Sequence, residues 1–275
     1  MKLFKATLVA AALTFATVAN AGNGIMRIPG RVVPQTFSSA TGGLVYFGGP
    51  VIANTRIVLV YWGSNIDSTV KQGLPGFYAA LVNSTQMDWL NQYDTNLNAV
   101  DGRAGTQQHI GRGTYGGEYV ITPKNTKKDI TNDEIQAELE AQIVATNLPK
   151  PDQNTLFMLH FPAGISITLD GMKSCSTFCA YHMFYNSKTY GDVFYGVMPD
   201  LGSGACSFTC SVGNTTFEST TFVSSHEAIE AITDPKPTPA DKPTFPQAWN
   251  TKDGSEISDL CQQSSTLTAG SITYM

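Results

Sequence analysis

The chain has 275 residues, 42% of them hydrophobic and 14% charged, with a formal net charge of −5. Globular proteins carry about a quarter charged residues, so this one is charge-poor, and it is too apolar and aromatic to be a disordered chain. No basic cluster stands out, which argues against a nucleic-acid partner, and no stretch reaches the roughly 18 to 20 apolar residues of a membrane span.

The N-terminus opens with Lys2 and Lys5, an apolar run from Ala6 to Val18, and the A-x-A cleavage signal Ala19-Asn20-Ala21. That pattern predicts a signal peptide of bacterial type over residues 1–21, and a mature protein in a periplasm or outside the cell. Its removal takes away two lysines and no acids, leaving a more acidic chain. Residues 22–55, rich in Gly, Ser, Thr and Pro, read as an extended lead-in. Arg56 to Trp62 is nearly all apolar and β-branched or aromatic, as a strand buried on both faces requires. Residues 67–82 predict a helix broken near Gly73-Leu74-Pro75-Gly76, and residues 86–93 a short one. Gly and Tyr alternate over 109–121, a strand or hairpin near an edge.

Thr131 and Glu134 form a capping box. Ile135, Leu139 and Ile143 then recur at helical spacing, so a helix runs to about Thr146. Leu156 to Phe161 predicts a second buried strand containing His160, read as a core residue; His109 reads as surface or edge. Phe178–Tyr185 and Val193–Met198 are further strands. Residues 200–213 form a loop rich in Gly, Ser and Cys, and Phe217–Thr233 a long helix closed by Asp234-Pro235. A proline-rich segment over 235–246, a short element near 255–260 and a polar, loose tail over 262–275 complete the chain. Strands and helices alternate without a repeat or an interdomain linker, which predicts one α/β domain over residues 56–261. No oligomer is legible.

The chain's five cysteines are Cys175, Cys179, Cys206, Cys210 and Cys261. In an exported protein disulfides are the expected state. Two C-x-x-x-C pairs do not reveal which sulfur meets which, and an odd count leaves one thiol over.

Chemistry concentrates in Ser225-His226-Glu227-Ala228-Ile229-Glu230. On a helix, His226 and Glu230 lie one turn apart on one face and can bind one metal ion through imidazole and carboxylate. Glu227 stands where an H-E-x-x-H helix carries its general base; here Glu230 replaces the second histidine. A further ligand is expected from downstream, from Glu256 or Asp259, which share a face if residues 255–260 form a helical turn. Asp234, one turn beyond Glu230, is a rival. In so charge-poor a chain, this acidic cluster on an otherwise apolar helix points to a site.

The segment from Ser225 to Pro235, with Ala248-Trp249-Asn250 and the stretch Gly254 to Cys261, resembles exported proteins of the plant EXORDIUM and phosphate-induced-protein type and their microbial relatives. Gly48-Gly49-Pro50-Val51 and Cys175 with Cys179-Ala180-Tyr181-His182 look similar too. The order of elements also resembles zinc metallopeptidases of the zincin type, with a mixed twisted sheet, backing helices, an edge strand for substrate and a metal-site helix. The downstream acid resembles the gluzincin arrangement. The third histidine of the metzincins is absent: Lys236 stands ten positions after His226.

The resemblance implies a single zincin-like domain holding Zn2+ through His226, Glu230 and Glu256 or Asp259, with a harder, more anionic ligand set than two histidines give. Glu227 would take the proton of the attacking water and pass it to the leaving amine. His182 is a candidate oxyanion donor, with Tyr181 and Tyr195 as rivals. The substrate would be an extended peptide or protein, with cell-wall or host-surface components as possible targets. The alternative is a non-enzymatic exported protein that binds a cell-wall, glycan or host surface and keeps a structural metal or a bare acidic cluster, with Tyr115, Tyr119 and Trp249 as stacking aromatics. The absence of a G-x-S-x-G elbow and of a P-loop argues against an α/β-type serine hydrolase and a nucleotide-binding site of that kind.

Overall fold

The computed structural model describes residues 25–27, 43–260, 266–269 and 272–274. The expected signal peptide and Cys261 lie outside the described residues. In chain order come strands β1 (Ile25–Arg27), β2 (Val45–Tyr46) and β3 (Arg56–Trp62), helices α1 (Ser68–Leu81) and α2 (Thr85–Trp89), and a 3-10 turn over Leu90–Tyr93. Then follow β4 (Thr114–Ile121), β5 (Asp129–Thr131), α3 (Asn132–Val144), β6 (Thr155–His160), β7 (Ser166–Leu169) and β8 (Met172–Lys173). The last elements are β9 (Phe178–Ser187), β10 (Gly191–Met198), α4 (Cys206–Thr209), α5 (Thr216–Thr233), β11 (Trp249–Asn250), α6 (Ile257–Leu260), β12 (Leu267–Ala269) and β13 (Ile272–Tyr274).

The centre is a mixed sheet in the order β1-β9-β10-β6-β3-β4, twisted as L-residues impose. Strands β4, β3, β6 and β10 run parallel. Strand β9 returns antiparallel to β10, and β1 adds antiparallel to β9. Both faces are covered, and the alternation along β3 shows how. Ile57, Leu59 and Tyr61 enter the core shared with α1 and α5. Val58, Val60 and Trp62 enter the core shared with α3. A strand that serves two cores has no polar face to show, hence its continuous apolar run.

Helix α3 starts at the expected capping box, with Thr131 and Glu134 each accepting the other's backbone N–H. A second box, Thr215 with Glu218, starts α5. Helix α5 is buried nearly all round, because it packs on β9 and β10 and also meets α1, α6 and β1. Gly73 permits the close approach of α1: a Cβ there would stand 2.3 Å from the Phe217 ring of α5.

Two expectations change. Helix α1 is continuous through Pro75. Proline removes the N–H that the Lys71 carbonyl would accept, and the Tyr61 hydroxyl of β3 donates to that carbonyl instead, at 2.8 Å. The alternating stretch before Ile121 is a single edge strand parallel to β3, the strand of the two forms expected there. The tail expected to be loose carries the antiparallel pair β12–β13, built on Leu267, Thr268, Ile272, Thr273 and Tyr274, residue types that favour strands. Small sheets β5-β7-β8 and β2-β11 were not expected. Among the described residues no helix is long and apolar enough to cross a membrane.

The loop over 200–213 is stapled. Cys175 pairs with Cys206 and Cys179 with Cys210. Disulfides of this kind form and persist in oxidising surroundings.

Candidate metal centre

Helix α5, strand β9 and the segment leading into α6 converge at one point. The 3.6-residue repeat of α5 puts His226 and Glu230 on one face, and His226 Nε2 lies 3.1 Å from Glu230 Oε1. The two atoms are close but not aligned for a hydrogen bond, and neither has a hydrogen-bond partner among the described residues. Glu230 Oε2 is likewise without one.

His182 enters from β9. Its Nδ1 lies 3.2 Å from Glu227 Oε2 and 4.0 Å from Glu230 Oε2. Its Nε2 lies 3.1 Å from the Asp234 carbonyl oxygen. A carbonyl only accepts, so Nε2 carries the proton and the Nδ1 lone pair faces the two glutamates. This is how a backbone carbonyl fixes the tautomer of a metal-ligating histidine.

Glu256 reaches the cluster from the segment before α6, with Oε1 3.5 Å from His182 Nε2. Asp259, in the first turn of α6, lies 3.8 Å from His226 Nε2 and accepts the Glu256 N–H. The Ser258 hydroxyl donates to the His226 carbonyl and ties α6 to α5. Asp234, at the C-terminal cap of α5, accepts the Ala248 N–H at 2.8 Å. It braces the chain after α5 as well as offering a carboxylate.

Apart from Asp259, whose side chain is 31% exposed, the cluster is out of water. His182, Glu227 and Glu230 are 0% exposed, Glu256 1% and His226 8%. Burial pushes the Glu227 carboxyl up to about 8 and that of Asp234 to a similar level. Burial, with Glu230 adding to it, holds Glu256 well above the usual carboxylate range. Burial lowers His182 to about 4, with Glu230 opposing. At His226 burial also acts downward, but the Glu230 carboxylate and its neighbours outweigh it and raise the group to about 9.

His182, Glu230 and Glu256 each offer a ligand atom, all within 4.8 Å of one another, and so do His226, Glu227 and Glu230. Two ligands bonded at about 2.1 Å to one ion lie roughly 3–4 Å apart, the range seen across the cluster. The buried His182/Glu230/Glu256 group could therefore hold a metal ion. The fit is supported by Glu230, a fully buried carboxylate with no hydrogen bond to either oxygen among the described residues. Such a group is costly unless a cation stands against it, a charge that the His226 imidazolium or a bound ion would supply.

The expected residues thus divide. His226, Glu227, Glu230, Glu256 and Asp259 lie at one point of the fold. His182, read from sequence as an oxyanion donor, stands among the carboxylates as a member of a ligand group. Tyr181 and Tyr195 do not approach the site: both hydroxyls donate to Asn132 of α3, beyond the opposite face of the sheet. His160 is buried against Tyr78, and His109 is exposed and paired with Asp94.

Sequence reasoning missed Met26. Its backbone N–H, in β1, donates to Glu227 Oε1 at 3.1 Å, and no side-chain signal could have announced a main-chain contact across 201 residues. No protein-family model matches the chain, and no curated protein or solved structure does either.

Proposed function

We propose that the protein is a metal-dependent hydrolase of the zincin-like type, acting on peptide bonds of an extended substrate outside the cytoplasm. The observation that carries this reading is Glu230, buried with both oxygens open toward histidines on two different elements. The strand order supports it: four parallel strands, an antiparallel strand beside them, and the histidine helix packed on one face resemble the zincin arrangement.

His226 and Glu230 would hold the ion, with Glu256 or Asp259 completing the set. A bound divalent ion supplies a Lewis acid for the scissile carbonyl and lowers the pKa of water. The chain's own residues do the rest. Glu227 faces the cluster through Oε2, where its carboxylate would take the proton of a water held there and pass it to the leaving amine. Its Oε1 stays on the Met26 N–H.

A second reading has its own observation. Glu227 is wholly buried and held by the main chain of β1, as befits a structural metal in a non-enzymatic surface-binding protein. One experiment separates the two. The mature chain is purified, its metal content measured, and hydrolysis of a broad peptide mixture compared with that of Glu227→Gln. We expect bound metal in both proteins and a loss of at least 100-fold in rate in the variant. Wild type without metal overturns both metal readings. Metal without Glu227-dependent hydrolysis overturns the enzyme reading in favour of the structural one.

A further inference from the structure

We propose that the cluster binds two divalent cations side by side, with Glu230 as the carboxylate between them. The inference rests on the metal reading above and goes beyond its single ion.

The argument starts from the two oxygens of Glu230. Oε1 faces His226 Nε2 at 3.1 Å, and Oε2 faces His182 Nδ1 at 4.0 Å. Neither oxygen has a hydrogen-bond partner among the described residues, and the residue is fully buried. The two histidines come from different elements, α5 and β9, and meet opposite ends of one carboxylate. A single ion bound through one oxygen would leave the other buried without a hydrogen bond, at the cost that attends such groups. A carboxylate bridging two ions about 3.5–4 Å apart uses both.

Each end has its own further ligands. On the His182 side, Glu256 joins Glu230 with one ligand atom of each of the three within 4.8 Å. On the His226 side, Asp259 lies 3.8 Å from Nε2. Glu227 also reaches the His226–Glu230 pair, but its Oε1 is already held by the Met26 N–H. Asp259, whose other oxygen accepts the Glu256 N–H, is the outer carboxylate of the first ion, with Glu227 beside the pair as a proton acceptor. With oxygen ligands outnumbering imidazoles, the set suits Mn2+ and Zn2+ alike.

The test counts ions and asks whether they touch. The chelator-stripped mature chain is titrated with Zn2+, desalted and analysed for metal. A parallel sample is loaded with Mn2+ for electron paramagnetic resonance. We expect two equivalents of Zn2+ and an exchange-coupled Mn2+ spectrum. His182→Ala should lose one of the two equivalents and the coupling. Glu256→Gln, which keeps the size of the side chain, should weaken the same ion if His182→Ala fails to fold by circular dichroism. One equivalent in the wild type overturns the pair and leaves the single-metal reading standing. No metal overturns both. Two equivalents with an uncoupled spectrum, unchanged in both variants, place the second ion elsewhere and overturn the proposal.

Discussion

At the scale of the residue, what burial does to a titratable group depends on what stands opposite it. His160 and His182 are both buried histidines on strands of one sheet. His182 faces carboxylates, whereas His160 pairs with the Tyr78 hydroxyl, at 2.8 Å. Burial alone lowers His160 from 6.5 to about 3. The sign follows from linkage. The unfolded chain takes up a proton below about 6.5 that the folded chain refuses until about 3, so this group's contribution is whole above pH 6.5 and is lost as pH falls through that window. At up to ~1.36 kcal/mol per pH unit, the loss approaches roughly 4–5 kcal/mol by pH 3. His160→Gln keeps a partner for Tyr78 and cannot titrate. Denaturation midpoints of the two proteins should converge as pH is lowered from 7 to 4; parallel curves would contradict the assignment. The site's residues were legible to different degrees for a related reason. Positions His226, Glu227 and Glu230 are fixed relative to one another by helical geometry, so spacing reveals them. His182 joins them only through the packing of β9 under α5, which nothing local to its sequence encodes.

At the scale of the element, the strands and helices with strong local signals appear where the sequence puts them. The run Arg56–Trp62 is a two-faced central strand, and Thr131–Glu134 does start a helix. The failures are tertiary. Pro75 signals a break in any local reading, yet α1 runs on because Tyr61 of β3 supplies the donor that proline lacks. The two- to four-residue strands of the small sheets are too short for periodicity to register. The α1 case can be measured. Tyr61→Phe removes one hydroxyl and should cost about 1–2 kcal/mol in urea denaturation, the price of a part-buried carbonyl left without its donor. In a Pro75→Ala background the helix recovers its own N–H, so the same Tyr61→Phe change should cost less. Equal costs in the two backgrounds would show that the hydroxyl does not substitute for the missing amide.

At the scale of the whole molecule, the two disulfides decide how the site is held. Both join the chain just before and within the start of β9 to α4, the element that precedes α5. They therefore tie the strand carrying His182 to the lead-in of the helix carrying His226 and Glu230. Each spans 31 residues, and the two cross-links lie side by side, so they do not act independently. With either one in place the long loop is already closed, and the other closes only the short ring between the two C-x-x-x-C turns. On the chain-entropy estimate, removing one bond costs roughly 2–3 kcal/mol, whereas removing both reopens the long loop as well and costs about 6 kcal/mol. The measurement is a double-mutant cycle on unfolding free energy with Cys175→Ala/Cys206→Ala, Cys179→Ala/Cys210→Ala and the four-fold variant. The four-fold loss should exceed the sum of the two others. If the losses are strictly additive, or the four-fold variant is the milder, then the bonds stabilise by local packing and not by joining β9 to α5.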